Sequence, residues 1–69
     1  MSITVKEIQE AIVAIENPGA FLGTLPKANG VDVLKRSGRL NRKNEAEVSE
    51  WPINQVLARL NLLLIEMSN

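Results

Sequence analysis

The sequence predicts an all-α fold, a single small helical domain over residues 1–69 that assembles as a homo-oligomeric helical bundle. Apolar residues recur at spacings of three and four in two segments, about 4–16 and 49–67, and each segment begins with a capping signal. A chain of 69 residues buries only about 60% of its unfolded surface, and this one has no Cys for disulfides and no His for a structural zinc site. Self-association is therefore the expected supplement to its core.

The first helix is predicted over about residues 4–16. Thr4 and Glu7 form a capping box, and Ile3 with Ile8 makes the hydrophobic staple that often accompanies it. Apolar residues then follow on one face. They are Val5, Ile8, Ala11, Ile12 and Ile15. Asn17-Pro18-Gly19 ends the helix, because proline disfavours helical backbone in the residue before it and glycine tolerates the helix exit.

Residues 20–30 are predicted to form a connector, since they contain two glycines and a proline and show no sustained period. Three apolar side chains in it are expected to pack across the helices, because a flexible linker would be more polar. They are Phe21, Leu22 and Leu25.

One or two short helices are predicted in the middle of the chain. The first runs from about Val31 to Ser37, with Asn29 as a candidate cap and Gly38 just past its end. Val33 and Leu34 are expected to face inward. A weaker capping pattern, Asn44 with Glu47, predicts another turn or two of helix after it.

The last helix is predicted over about residues 49–67, with Ser49 as its cap and Pro52 in the first turn, where proline is tolerated. Alternating spacings of four and three place one line of apolar residues, here called the seam, on one face of this helix. The seam consists of Ile53, Leu57, Leu60, Leu64 and Met67, with Val56 and Leu63 broadening it. It is expected to pack on the rest of the chain, whereas Leu62 and Ile65 point away from it. The expected interface residues on the two sides are Ile53, Val56, Leu57, Leu60, Leu62, Leu63, Leu64, Ile65 and Met67.

Because the last helix has two apolar sides, the favoured interpretation is that a second copy of the chain buries the second side. The alternative is that the connector and the short middle helix cover the second side within one chain.

The composition argues against an enzyme. The chain has no His, Cys or Tyr, and its carboxylates lie at helix starts or on outer helix faces, where capping and solvation explain them. No acidic loop has calcium-binding spacing, and residues 19–24 lack the lysine of a phosphate-binding loop. We therefore expect no catalytic residue, no metal site and no cofactor.

A basic segment is the candidate binding site. Five cations fall within nine residues of a chain with zero net charge. They are Lys35, Arg36, Arg39, Arg42 and Lys43. Because Gly38 interrupts any single helical face, they are expected on a loop between helices, where they can bind phosphate or carboxylate groups. The alternative is that they form ion pairs with the neighbouring glutamates, which contribute little to stability.

These features predict a small non-catalytic module that regulates, inhibits or sequesters a partner. The partner is a protein or a small anionic, nucleotide-like ligand. The alternative is a small nucleic-acid-binding regulator, which is disfavoured by zero net charge and by Glu45, Glu47 and Glu50 on the would-be recognition helix. No apolar run reaches about 20 residues and the N-terminus lacks a signal-peptide layout, so a cytoplasmic protein without membrane contact is expected.

Overall fold

The computed structural model describes residues 3–17, 19 and 25–68, and every regular element within these ranges is helical. The helices are α1 (Val5–Glu16), α2 (Pro26–Arg36), α3 (Arg42–Glu47), a 3₁₀ helix (Val48–Glu50) and α4 (Ile53–Ser68). The predicted all-α fold is thus confirmed. Within the described ranges, none of the helices has the length and apolar character needed to span a membrane.

Helix α1 begins as the sequence predicts. The Thr4 hydroxyl accepts a hydrogen bond from the Glu7 amide at 3.2 Å, while the Glu7 carboxylate accepts one from the Thr4 amide at 3.4 Å. Two amides that have no helical partner are satisfied in this way. Ile3 and Ile8 are both buried in the core, as the staple predicts.

The predicted connector is wrong from residue 26 onward, because α2 begins at Pro26 rather than near Val31. Proline suits this first position, since its fixed φ is already helical and its missing amide would have had no helical partner. Asn29 is therefore inside the helix rather than at its cap, and its amide donates to the Leu25 carbonyl at 2.9 Å. Gly38 follows the helix with a φ of 71°, the exit conformation that favours glycine.

The apolar residues in and before α2 differ in their burial. Val33 and Leu34 are buried, as predicted. Leu25, expected to pack against the helices, is instead 74% exposed, since it occupies the extended cap position before α2. Phe21 and Leu22 lie outside the described residues.

Gly30 allows α2 to approach both of its helical neighbours closely. A Cβ at this position would lie 2.9 Å from Val56 Cγ1 and 3.2 Å from both Ile15 Cδ1 and Leu60 Cδ1. These atoms belong to α4 and α1, so the missing side chain is where the three helices meet.

Helix α3 is capped three residues earlier than predicted. The Asn41 side chain accepts from the Asn44 amide at 2.8 Å, so Asn44 lies within the first turn instead of capping it. None of the residues of α3 is buried, but Val48, directly after it, is completely buried. Val48 thereby fixes the end of α3 on the core.

Helix α4 begins at Ile53, four residues later than predicted, and ends at Ser68, one residue from the predicted end. Ser49 lies in the 3₁₀ helix, and Trp51 is extended, with ψ of 143°. Proline disfavours helical backbone in the residue before it, so Pro52 forces this interruption at Trp51. The Pro52 carbonyl then accepts from the Gln55 and Val56 amides at 2.9 and 3.2 Å, which starts α4.

The core lies between α1, α2 and α4, which pack on one another. On α4 the buried line is Val56, Leu60 and Leu63, at 0, 0 and 3% exposure. Three further predicted seam residues are partly buried against it. They are Leu57, Leu64 and Met67.

One predicted seam residue is placed differently. Ile53 is 42% exposed, because the centre of the seam is shifted toward Val56 and Leu63. Leu62 and Ile65 point away from the core as predicted, with 54 and 60% of their surface exposed.

Candidate functional site

The basic segment, residues 35–43, lies at the junction of α2 and α3. Lys35 and Arg36 form the last turn of α2, Arg39 lies in the loop, and Arg42 and Lys43 begin α3. The cations are therefore spread over two helix ends and a loop, with Gly38 at the bend.

Arg36 is held within the chain by two carboxylates. Its guanidinium donates to Glu7 of α1 at 3.0 Å and to Asp32, one turn earlier on α2, at 2.9 Å. The hydrogen bond from Arg36 is the largest influence on the Glu7 carboxyl and lowers its pKa, and the same bond raises the pKa of Arg36. Arg36 thus ties the end of α2 to the start of α1.

Arg39 pairs with the far end of the chain. Its guanidinium donates to Glu66 of α4 at 2.6 Å, and both side chains remain about half exposed. The Arg39 amide donates to the Ser37 hydroxyl at 3.2 Å, and that hydroxyl in turn donates to the Leu34 carbonyl at 2.6 Å. The loop after α2 is therefore held in place next to α4.

The other three cations of the segment are exposed. Within residues 3–17, 19 and 25–68, Lys35, Arg42 and Lys43 have no carboxylate within ion-pair distance. The ion-pair alternative therefore applies to Arg36 and Arg39, while the side chains of Lys35, Arg42 and Lys43 face solvent.

Arg39 also lines a small cleft between the α2–α3 loop and α4. The cleft has a volume of about 110 Å³, and aliphatic side chains make up half of its lining. The lining residues are Leu34, Ser37, Arg39, Leu40, Arg59, Leu62, Leu63 and Glu66. The basic segment and the exposed Leu62 therefore meet at one site.

Arg59, which no sequence pattern singled out as a site residue, brings a second cation to this cleft. Its guanidinium carbon lies 5.6 Å from the centre of the Trp51 ring, within the range of a cation–π contact. Arg59 is the only basic residue of α4, and this was the one signal available in the sequence. Because Arg59 is far from the basic segment in the sequence, its proximity to Arg39 in the fold could not be predicted.

The described residues contain no group of three or more acidic side chains that could hold a metal ion. Comparison with protein-family models, curated proteins and solved structures found no match to this chain.

Proposed function

We propose that the protein is a small non-catalytic module that self-associates and binds an acidic segment of a partner protein, which it regulates, inhibits or sequesters. The observation that carries the proposal is the cleft in which Arg39 of the basic segment meets the exposed Leu62 of α4. Protein interfaces combine apolar contact with charge-assisted hydrogen bonds, and arginine is enriched in them.

The size of the cleft favours a protein partner over a nucleotide-like ligand. Pockets for small ligands have volumes of about 300–1,000 Å³, whereas this cleft measures about 110 Å³. A single aliphatic or acidic side chain projecting from a partner is a better match for such a space.

The charges around the cleft favour an acidic partner. Arg39 already binds the Glu66 carboxylate at 2.6 Å while remaining 49% exposed, so its guanidinium retains free donors. Lys35, Arg42 and Lys43 are exposed nearby in the chain and attract an approaching anion. This attraction weakens with salt, because exposed charges are screened over about 8 to 10 Å at physiological ionic strength.

Self-association is the second part of the proposal. Leu62 and Ile65 present large aliphatic surface on the side of α4 opposite the core. Burying such side chains contributes about 1.5–3 kcal/mol each, which a marginal 69-residue domain gains by pairing with a second copy.

Panning a random-peptide display library against the immobilised protein tests the partner class. Selected peptides are expected to be enriched in Asp and Glu together with Leu or Ile. They should bind the variant Arg39→Ala/Arg42→Ala at least about tenfold more weakly than wild type, because charge-assisted hydrogen bonds are lost. Lys6→Ala/Lys27→Ala, which removes the same charge elsewhere, is the matched control and should bind normally.

Two results would contradict the proposal. One is a set of selected peptides without acidic residues, and the other is equal binding to the two double variants.

Fluorescence anisotropy with labelled DNA and RNA tests the nucleic-acid alternative. Exposed Glu45 and Glu47 on α3 lie beside Arg42 and Lys43 and repel phosphates, so we expect no binding at physiological salt. Tight binding would replace this proposal with the nucleic-acid alternative.

A further inference from the structure

The outer face of α4 carries a second line of side chains at helix-packing spacing. Ala58, Leu62 and Ile65 are separated by four and three residues, and all three are exposed. With 3.6 residues per turn, this line is on the opposite side of the helix from Val56, Leu60 and Leu63, which are buried. Helix α4 therefore has one apolar face that packs in the core and a second that is exposed.

The two flanks of this outer line differ in charge. Arg59 and Glu66 are seven residues apart, so they lie two turns apart on the same flank. The other flank carries Asn61 and Leu57, which are uncharged. The outer face is thus asymmetric, with one positive and one negative charge along a single edge.

We infer that the α4 helices of two copies pair antiparallel along this outer line, around a two-fold axis near Leu62. The inference deepens the proposed self-association and rests on it. In an antiparallel pair each flank meets the same flank of the other copy, so Arg59 lies opposite Glu66 of the second copy, and the contact occurs twice. In a parallel pair the charged flank would meet the uncharged one. Antiparallel helix dipoles add to the preference.

The register follows from the same residues. The midpoint between Ala58 and Ile65 and the midpoint between Arg59 and Glu66 both fall within one residue of Leu62. Small Ala58 then faces large Ile65 of the second copy. Glu66 has two carboxylate oxygens, and Arg39 uses Oε2, so a second guanidinium can be accommodated. Pairing covers the outward side of Leu62, so a partner's acidic segment reaches the cleft from the side of Arg39 and the exposed cations of the basic segment.

Single-cysteine crosslinking tests the orientation, because the chain has no Cys of its own. The variants are Ala58→Cys, Leu62→Cys and Ile65→Cys, with Glu10→Cys on the exposed face of α1 as control. All four positions are exposed, so the fold is expected to survive, and far-ultraviolet circular dichroism checks this. A disulfide requires Cα atoms within about 4.4–6.8 Å.

The antiparallel pair predicts that Leu62→Cys crosslinks with itself. Ala58→Cys and Ile65→Cys should each stay uncrosslinked alone but crosslink with each other when mixed. Efficient crosslinking of Ala58→Cys alone and Ile65→Cys alone would overturn the inference in favour of a parallel pair.

Dimers by sedimentation without crosslinks at these positions would also overturn the inference but would leave self-association standing. A monomeric wild type would refute both.

Discussion

At the scale of single residues, Gly30 determines how closely three helices pack. Glycine costs a helix about 1 kcal/mol relative to alanine, so Gly30→Ala would stabilise α2 if space were available. The added Cβ would instead lie 2.9 Å from Val56 Cγ1, which belongs to a stiff and completely buried side chain.

We expect Gly30→Ala to lower the free energy of unfolding by up to about 2 kcal/mol, because overpacking a core typically costs about 1–3 kcal/mol and the helix-propensity gain offsets only about 1 kcal/mol of it. Urea unfolding followed by circular dichroism measures it. Gly19→Ala is the control, since its Cβ would meet no atom of the described residues within 4 Å. A stabilised Gly30→Ala variant would mean that the helices pack less closely than described.

The Glu7–Arg36 pair gives the protein a pH-dependent contribution to stability. The hydrogen bond from Arg36 lowers the pKa of Glu7 in the folded state below its unfolded value. A lowered carboxyl pKa adds stability above the unfolded pKa, and this stability is lost as the pH falls through the folded pKa.

We therefore expect the free energy of unfolding to fall as the pH drops below about 5, through the unfolded pKa of a glutamate and on through the lower folded pKa of Glu7. Glu7→Gln should show a smaller fall over the same range, because it has no proton to take up. Glu10→Gln, which removes an exposed carboxylate of α1 that has no ion pair among the described residues, is the control for the loss of one charge. Identical pH profiles for Glu7→Gln and wild type would show that the pair does not contribute.

At the scale of the helices, α4 has two apolar sides with different roles. Leu60 is completely buried in the core, whereas Leu62, two residues later, is 54% exposed. The two leucines are chemically identical and share one helix, so they form a matched pair.

Leu60→Ala should lower the free energy of unfolding by about 2–5 kcal/mol, the usual cost of a cavity in a core. Leu62→Ala should change it by less than about 0.5 kcal/mol at protein concentrations low enough to keep the chain monomeric. Because Leu60→Ala removes a large part of a small domain's stability, both variants are best compared in an osmolyte-stabilised urea titration. Equal losses would contradict the assigned orientation of α4.

Sequence patterns predict helices well where periodicity and capping agree. The Thr4–Glu7 box locates the start of α1, and the spacing along α4 separates Leu62 and Ile65 from the core. The start of α2 at Pro26 is not predictable in this way, because Asn29 and Gly30 have low helix propensity and only the packing on α1 and α4 makes a glycine favourable there.

The candidate site was predictable only in part. The charge cluster is local in the sequence, and its separation by Gly38 follows from glycine chemistry. The contacts of Arg36 with Glu7 and of Arg39 with Glu66 span 29 and 27 residues, and they depend on how the helices pack. Such distant pairs leave no periodic signal in one sequence.

At the scale of the whole molecule, the three packed helices form a small and almost entirely aliphatic core, with Trp51 as its single buried aromatic among the described residues. A core of this size supports only marginal stability. Pairing through α4 would make stability depend on concentration, since a partner that binds only the folded state stabilises it by mass action. The exposed outer face of α4 would thereby contribute to the stability of the folded chain.

Sedimentation velocity across micromolar concentrations tests the central claim, which is self-association through the outer face of α4. We predict that the wild type sediments as a dimer and that Leu62→Glu/Ile65→Glu sediments as a monomer with unchanged helical circular dichroism, because both positions face away from the core. Val13→Glu, at an exposed apolar residue of α1, should remain a dimer. A wild type that is monomeric at every accessible concentration, or a double variant that remains dimeric, would contradict the claim.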